Sequence, residues 1–330
     1  MSVNYIETGS VDPCFNLAFE EYLLKNKTEG SWLMLWQNAN TIVIGLNQNT
    51  AEEINAAFVR EHNITVVRRT TGGGAVYHDL GNLNYSFISD MGEKSDLSIR
   101  KFCDPVCRAL GSMGLDAEVS GRNDIVIQGK KVSGTAQRIY KKRILHHGTL
   151  LFRSDPDMIA GALNADPAKF ASKSSKSVRS RVGNICEFLP DSLSLEEFKA
   201  EILRQLSLDG AVLQTLNDSE LAEVRRCAEE KYRSWDWTYG RSPQYTFKNK
   251  VRFDGGSIEI RLNVEKGIIK NAAFSGDYMA LCDSSSAVAA LSGVRYRPED
   301  VSAALASLDI ASIFGGIQAE EILKVMFMDN

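Results

Sequence analysis

Between Arg68 and Ser86 the chain reads Arg-Arg-Thr-Thr-Gly-Gly-Gly-Ala-Val-Tyr-His-Asp-Leu-Gly-Asn-Leu-Asn-Tyr-Ser, and no other stretch restricts the fold as strongly. It follows the apolar run Ile64 to Val67 and re-enters strand-like sequence at Tyr85, Phe87 and Ile88, which predicts a strand, a glycine turn and a second strand. Three consecutive glycines let backbone N–H groups approach a phosphate or carboxylate closely, and Arg68 and Arg69 add fixed charge and paired donors. For an isolated triple glycine a hairpin turn with positive φ is the favoured reading. Two arginines before it and His78-Asp79 after it are more chargeable groups than a turn needs at one sheet end. Neither the G-x-G-x-x-G fingerprint nor a G-x-x-x-x-G-K-[ST] loop is present, so anion binding by this stretch would rest on neither motif.

The 330 residues suffice for a large core and two domains, and 44% apolar with 24% charged residues is ordinary for a soluble enzyme. A net charge of −4 gives no reason to expect nucleic-acid binding. No apolar stretch approaches the roughly 18–20 residues of a membrane span, and no basic segment followed by an apolar core opens the chain, which predicts a cytoplasmic protein without a membrane partner. Cysteines at 14, 103, 107, 186, 227 and 282 lack CxxC spacing and the histidines fall at 62, 78, 146 and 147, a usage that predicts reduced thiols and no zinc site.

Asp12-Pro13 opens a helix whose Phe15, Ala18, Phe19, Tyr22 and Leu23 form one buried face. Trp32–Trp36 and Thr41–Leu46 read as a hairpin of core strands, and Ala51–His62 as a short amphipathic helix on which His62 has no assigned role. Pro105, inside the helical stretch Ser98–Met113, predicts a start, kink or break, while Cys103 and Cys107 read as packing residues. Asp124–Ile127 and Lys131-Val132 flank a tight turn, followed by a strand pair at Gln137–Tyr140 and Ile144–Phe152. Lys131 precedes Ser133-Gly134, where a lysine can be held against an anion; a snorkelling surface lysine is the alternative. The basic turn Lys141-Lys142-Arg143 suits an acidic protein partner, and the serine-rich basic stretch Lys169–Arg181 reads as a loop able to close over substrate. After a hinge-like turn at 234–243, three alternating strands and three helices predict a small α+β domain. The expected fold class is α+β, with a catalytic domain at residues 1–240 built on a mixed or antiparallel sheet flanked by helices, and an accessory domain at 241–330.

The run R-R-x-x-G-G-G-x-V-x-H-D-x-G-N from Arg68 to Asn82 resembles the signature of the lipoate-protein ligase A family, within the biotin and lipoate ligase superfamily. Gly121-Arg-Asn-Asp124 with Lys131-Val-Ser-Gly134, then His146-His-Gly-Thr-Leu-Leu151, then Ser177-Val-Arg-Ser-Arg-Val-Gly-Asn184 match the same family in the same order. The resemblance implies that lipoate is activated with ATP to lipoyl-AMP and passed to a lysine of an acceptor lipoyl domain or a glycine cleavage H-type protein. It further implies Lys131 as the central cation touching both lipoate and the α-phosphate. ATP and the adenylate fall to Arg69, Gly74, Ala75, Val76 and Tyr77, with Tyr77 against adenine. Lipoate falls to Thr71, Gly72, Gly73, His78 and His147, with Leu17 and Trp36 as apolar walls, and Mg²⁺ to Asp124. A cap or a salt bridge to Arg122 is the alternative for Asp124. Two departures accompany the match: a short turn between Asp124 and Lys131, and Pro105 inside its helix.

Three rival readings stay open at this level. A thiol transferase would use a cysteine and no ATP, with Cys186 as the one cysteine to test, although its neighbours are apolar and no base is evident. A non-catalytic lipoate or nucleotide binder, and a biotin ligase, are the others.

Overall fold

The computed structural model describes all residues except 1–2, 47, 93–98, 122, 165–180, 190–192, 208–209, 241–244, 279, 282–283 and 328–330. In chain order the elements are β1 (Val3–Ile6), α1 (Pro13–Asn26), β2 (Trp32–Trp36), β3 (Thr41–Ile44), α2 (Thr50–Glu53), α3 (Ala56–Glu61), β4 (Thr65–Arg68), β5 (Val76–His78) and β6 (Asn82–Asp90). There follow α4 (Ile99–Ser112), β7 (Ala117–Ser120), β8 (Asp124–Ile127), β9 (Lys130–Tyr140), β10 (Arg143–Leu151), α5 (Pro156–Ala162), α6 (Leu195–Leu206), β11 (Ala211–Leu213) and α7 (Asp218–Cys227). The chain closes with β12 (Tyr245–Phe253), β13 (Gly256–Glu265), β14 (Ile268–Gly276), α8 (Ser285–Leu291), α9 (Pro298–Leu305), α10 (Ile310–Ile313) and α11 (Ala319–Phe327).

Packing divides the chain into two units: residues 1–46 with 64–234, and residues 47–63 with 235–330. The sequence predicts a single boundary at residue 240; packing puts it after Ser234 and adds the excursion with α2 and α3 to the second unit. The first unit holds an eight-stranded sheet in the order β11-β1-β2-β6-β10-β9-β8-β7 and a three-stranded sheet in the order β4-β3-β5. In the large sheet β1 runs parallel to β2 and β11 while the other pairs are antiparallel. The architecture is therefore mixed α+β, as the sequence predicts.

The hairpin expected between Trp32–Trp36 and Thr41–Leu46 does not form. β2 pairs with β1 and β6, whereas β3 pairs with β4 and β5 in the small sheet. Both strands are buried along their whole length, so neither face carries the polar alternation that would specify a partner. The residues between them are used otherwise: Asn38 is fully buried and hydrogen-bonded to Asn16 and His78.

One face of the large sheet presents Leu33, Leu35, Leu83, Tyr85 and Leu150 to α4 and α6, where Cys103, Val106, Leu110, Phe198 and Ile202 close the core. Each such side chain contributes about 1.5–3 kcal/mol on burial. That packing also keeps α4 continuous across Pro105, whose missing N–H costs an isolated helix roughly 3 kcal/mol. Cys103 and Cys107 belong to this packing, and burial pushes both thiols up to about 11.

α1 crosses the opposite face. Asp12 caps it by accepting the Cys14 N–H at 3.0 Å, and Pro13 takes the first position. The expected single apolar face is exceeded, because Asn16, Glu20 and Glu21 are buried along with Leu17, Phe19 and Leu23. Glu21 is held by Lys25, Lys231 and the Tyr232 hydroxyl, and these partners overcome its burial to bring its carboxyl down to about 2.

In the second unit β12, β13 and β14 form an antiparallel meander. Its Ile258, Ile260, Leu262 and Val264 pack with Leu291, Val301, Ile322 and Val325 of the helices, and Ala51 of α2 rests on the same core. Thr50 Oγ1 donates to the Thr238 carbonyl at 2.6 Å, fixing the excursion to this unit.

Candidate active site

A cavity of about 610 Å³, counting its mouth, lies in the first unit over the polar face of the large sheet. β6 explains why that face is polar. Its residues alternate, Leu83, Tyr85 and Phe87 toward the core and Asn82, Asn84 and Ser86 away from it, so one strand serves packing and pocket together. Leu17 of α1 and Trp36 of β2 form apolar wall, and Val43 of β3 and Val76 and His78 of β5 line the pocket from the small sheet.

The glycine bend closes the pocket from the small-sheet side, with Gly73, Gly74 and Ala75 in its lining. Arg69 shapes that bend from inside. Its Nε donates to Thr71 Oγ1 at 2.9 Å, Nη1 to the Val43 carbonyl at 3.0 Å, and Nη2 to the carbonyls of Gly72 at 2.6 Å and Gly74 at 2.8 Å. Burial pulls the guanidinium down to about 10, so it keeps its charge at neutral pH. Gly73 has φ +92°, and a Cβ there would lie 2.9 Å from Arg69 Nη2, so both backbone and space require glycine. With the loop carbonyls turned to Arg69, the N–H groups of Gly72, Gly73 and Gly74 make no hydrogen bond among the described residues. An anion placed in the bend would find these donors free.

Beneath the bend a buried hydrogen-bonded chain ties it to α1. His147 Nδ1 contacts Glu20 Oε1 at 2.8 Å and His147 Nε2 contacts Thr71 Oγ1 at 2.9 Å. Glu20 Oε1 also receives the Ser86 hydroxyl at 2.6 Å, and Ser86 Oγ receives Trp36 Nε1–H at 2.9 Å. The donor order that satisfies every group runs from Trp36 through Ser86 to Glu20, with His147 Nδ1–H as second donor to that carboxylate. Thr71 therefore stands behind the bend, and neither it nor the half-buried Gly72 belongs to the pocket lining. His78 is held differently: Asn38 Nδ2 donates to its Nδ1 at 3.1 Å, because Asn38 Oδ1 already accepts from Asn16. Its proton consequently sits on Nε2, which is buried, without a partner among the described residues, and on a ring lining the pocket. Burial, assisted by Arg69, drives this imidazole down to about 3, so it is a neutral donor.

Lys131 reaches the pocket from the far edge. Gln128 and Gly129 take φ of 48° and 76°, which makes the predicted tight turn between β8 and β9 a left-handed two-residue hairpin. A bulge after Ile125 then shifts the register, so that Val126 faces Lys131 and Asp124 faces Gly134. Lys131 Nζ lies 2.8 Å from Asp124 Oδ1. A Cβ on Gly134 would come within 3.0 Å of that ammonium, so the glycine of Lys-Val-Ser-Gly is the floor on which the lysine lies. The Lys131 carbonyl accepts the Gly183 N–H at 3.0 Å, anchoring the chain that follows residues 165–180.

Of the residues expected from sequence, Leu17, Trp36, Arg69, Gly73, Gly74 and Ala75 line one pocket together with Val76, His78, Lys131 and His147. Asp124 adjoins it through Lys131. Tyr77 faces away: strand alternation sends it opposite to Val76 and His78, and its hydroxyl donates to Asn40 Oδ1 at 2.9 Å. Cys186 packs against the core cluster and is absent from the pocket lining. Arg122 and the basic stretch through Ser180 lie outside the described residues, as do 241–243 of the expected hinge. Sequence reading missed Glu20, Ser86, Asn84, Asn123 and Thr149. The polar–apolar alternation of Asn-Leu-Asn-Tyr-Ser was the available signal for Asn84 and Ser86.

A glycine bend over a polar sheet face, with an opposed ammonium, makes a pocket suited to anionic ligands. The family model for the lipoyl protein ligase A/B catalytic domain matches residues 12–207, and that for the bacterial lipoate protein ligase C-terminus matches 242–326. Lipoate-protein ligase 1 of Staphylococcus aureus is 43% identical over 327 residues, covering 98% of this chain and 100% of its own. The bipartite lipoate protein ligase of Thermoplasma acidophilum, studied with its E2 lipoyl domain, is 28% identical with TM-score 0.66 over 74% of this chain and 99% of that one. A lipoate-protein ligase A bound with ATP is 27% identical with TM-score 0.63, over 73% and 100% of the two chains. The chain belongs to the lipoate-protein ligase family.

Proposed function

We propose that the chain activates lipoate with ATP to lipoyl-AMP and transfers the lipoyl group to a lysine of an acceptor lipoyl domain. The reading is carried by one juxtaposition: the Lys131 ammonium and the glycine bend line the same pocket from opposite sides. Activation brings a carboxylate against the α-phosphate of ATP, two anions that repel. Lys131 bridges them, while the free N–H groups of the bend hold phosphate oxygens, so catalysis comes from positioning and preorganised charge. Arg69 acts by fixing the bend and lending it positive potential. Leu17 and Trp36 receive the hydrocarbon tail, and His78 and His147 border it. Tyr77 serves through its strand, with its ring on the other side.

Asp124 would hold Mg²⁺. The ion takes one or two protein carboxylates with phosphate oxygens and water, and Asp124 offers one hard oxygen donor beside the pocket. When bound, Mg²⁺ neutralises phosphate charge. The first unit is assigned catalysis and the second an accessory role. Among the described residues no helix is long and apolar enough to cross a membrane, and five cysteines are free. With ATP as substrate, we assign the protein to the cytoplasm. Acceptors of the 2-oxoacid dehydrogenase E2 type, or H-type proteins, fit this chemistry.

Mass spectrometry of an apo lipoyl domain incubated with the protein, lipoate, ATP and magnesium tests the proposal; an unmodified lysine would overturn it. Lys131→Ala is expected to lower lipoate-dependent pyrophosphate exchange by roughly 10³-fold or more without changing the melting temperature by more than a few degrees. Normal exchange in that variant would remove Lys131 from the chemistry.

A further inference from the structure

On the pocket face of the large sheet, residues from adjacent strands fall in a row. Trp36 is opposite Asn84, Asn84 is opposite Thr149, and Gly134 is opposite Asp124, with Thr149 Oγ1 accepting the Gly134 N–H at 3.1 Å. The apolar wall at Trp36 stands at one end and the Lys131 ammonium lies over Gly134 near the other. Asn84 sits between them, two strand spacings or about 10 Å from Gly134.

Its side chain is set as a donor. Asn84 is 2% exposed and belongs to the pocket lining, its Oδ1 accepts Asn82 Nδ2 at 2.9 Å, and its Nδ2 is buried without a partner among the described residues. The amide could be reversed only together with that of Asn82, which would aim an acceptor into a pocket whose other groups suit anions. An unpaired buried donor is costly, and a ligand oxygen would satisfy it.

We propose that Asn84 is a catalytic residue of lipoyl transfer, whose Nδ2–H binds the acyl oxygen of lipoyl-AMP and takes up the charge that develops there. This rests on the ligase reading and deepens it. A carboxyl group with one hydrogen bond on each oxygen spans roughly 7 Å between donor nitrogens, a distance that side chains rooted two strands apart can frame. Lys131 then meets the oxygen on the phosphate side and Asn84 meets the acyl oxygen. The acceptor amine forms a C–N bond to the acyl carbon as the carbonyl π pair moves onto the oxygen at Asn84. Collapse breaks the C–O bond to phosphorus-bound oxygen, AMP leaves with that electron pair, and the amine proton passes to solvent.

The test separates the half-reactions. Purified Asn84→Ala and the isosteric Asn84→Asp are supplied with chemically made lipoyl-AMP and an apo lipoyl domain, and single-turnover transfer is timed beside pyrophosphate exchange and melting curves. Transfer is expected to slow by roughly 10²–10³-fold in Asn84→Ala and further in Asn84→Asp, where an anion replaces the donor, with binding of lipoyl-AMP weakened less than about tenfold. Transfer within threefold of the unsubstituted protein in both variants would overturn the assignment. So would an effect confined to a higher KM for lipoate, which would mark Asn84 as a tail contact. The unsubstituted protein discriminates the two levels: if it transfers nothing from lipoyl-AMP the ligase reading fails, whereas if it transfers and both variants match it, only the role of Asn84 fails.

Discussion

The two faces of the large sheet are made by the same strands and behave oppositely. Toward α4 and α6 the face is closed by packing; toward α1 and the small sheet it is closed by hydrogen bonds, except at the pocket, where donors remain. His146 and His147, neighbours on β10, state the difference most sharply. Both nitrogens of His146 lack a partner among the described residues, and its ring stacks on Phe102 at 4.9 Å in the packed layer. Both nitrogens of His147 are engaged, by Glu20 and Thr71. A polar side chain in this fold is therefore not a sign of the site by itself; what marks the site is the face and the partners that aim it.

If the faces are independent, damage to one should leave the other's property intact. The largest stability effect is expected at Phe198→Ala, which removes a fully buried ring stacked on Phe152 at 4.7 Å. The expected loss is about 3–5 kcal/mol by denaturant titration, with pyrophosphate exchange per folded molecule nearly unchanged below the melting temperature. A specific activity that falls in step with stability would join the faces. Gly73→Ala reverses the pattern. The strained φ and the approach to Arg69 should cost roughly 1–3 kcal/mol, yet exchange should drop on the order of tenfold because the bend opens. Full activity in this variant would mean that the bend tolerates another conformation.

This separation also explains how far the sequence could be read. The glycine bend at the pocket was legible because glycines and arginines have few other uses at that density, and the approach of Lys131 to Gly134 because the two are close in the chain. Glu20 was not: on a helix rich in apolar residues its burial depends on Ser86 and His147, which only the sheet register brings to it. The partners of β2 and β3 were hidden for a related reason, since fully apolar strands carry no record of which neighbour they take. Tyr77 was placed against the ligand from its position in the motif, but strand alternation decides its direction and turns it to Asn40.

The smallest effect gives the finest comparison. Burial drives His146 down to about 3, and His78 likewise, against about 6.5 for an ordinary imidazole. Between those values the unfolded chain binds a proton that the folded protein refuses, so stability is complete above pH 6.5 and is lost as the pH falls toward 3. His146→Phe removes one of the two contributions and two unsatisfied nitrogens while keeping a ring against Phe102. The variant should gain on the order of 1–2 kcal/mol over the unsubstituted protein at pH 5 relative to pH 7.5, with the slope halved and not abolished because His78 remains. Lipoyl transfer at pH 7.5 should stay within about threefold, since His146 lies on the packed face; the matching change His147→Phe cuts the link between Glu20 and Thr71 and should lower transfer on the order of tenfold or more. Equal loss of transfer in the two variants would show that the sheet does not insulate its faces, and an unchanged pH slope in His146→Phe would mean that this imidazole is solvated in the native state.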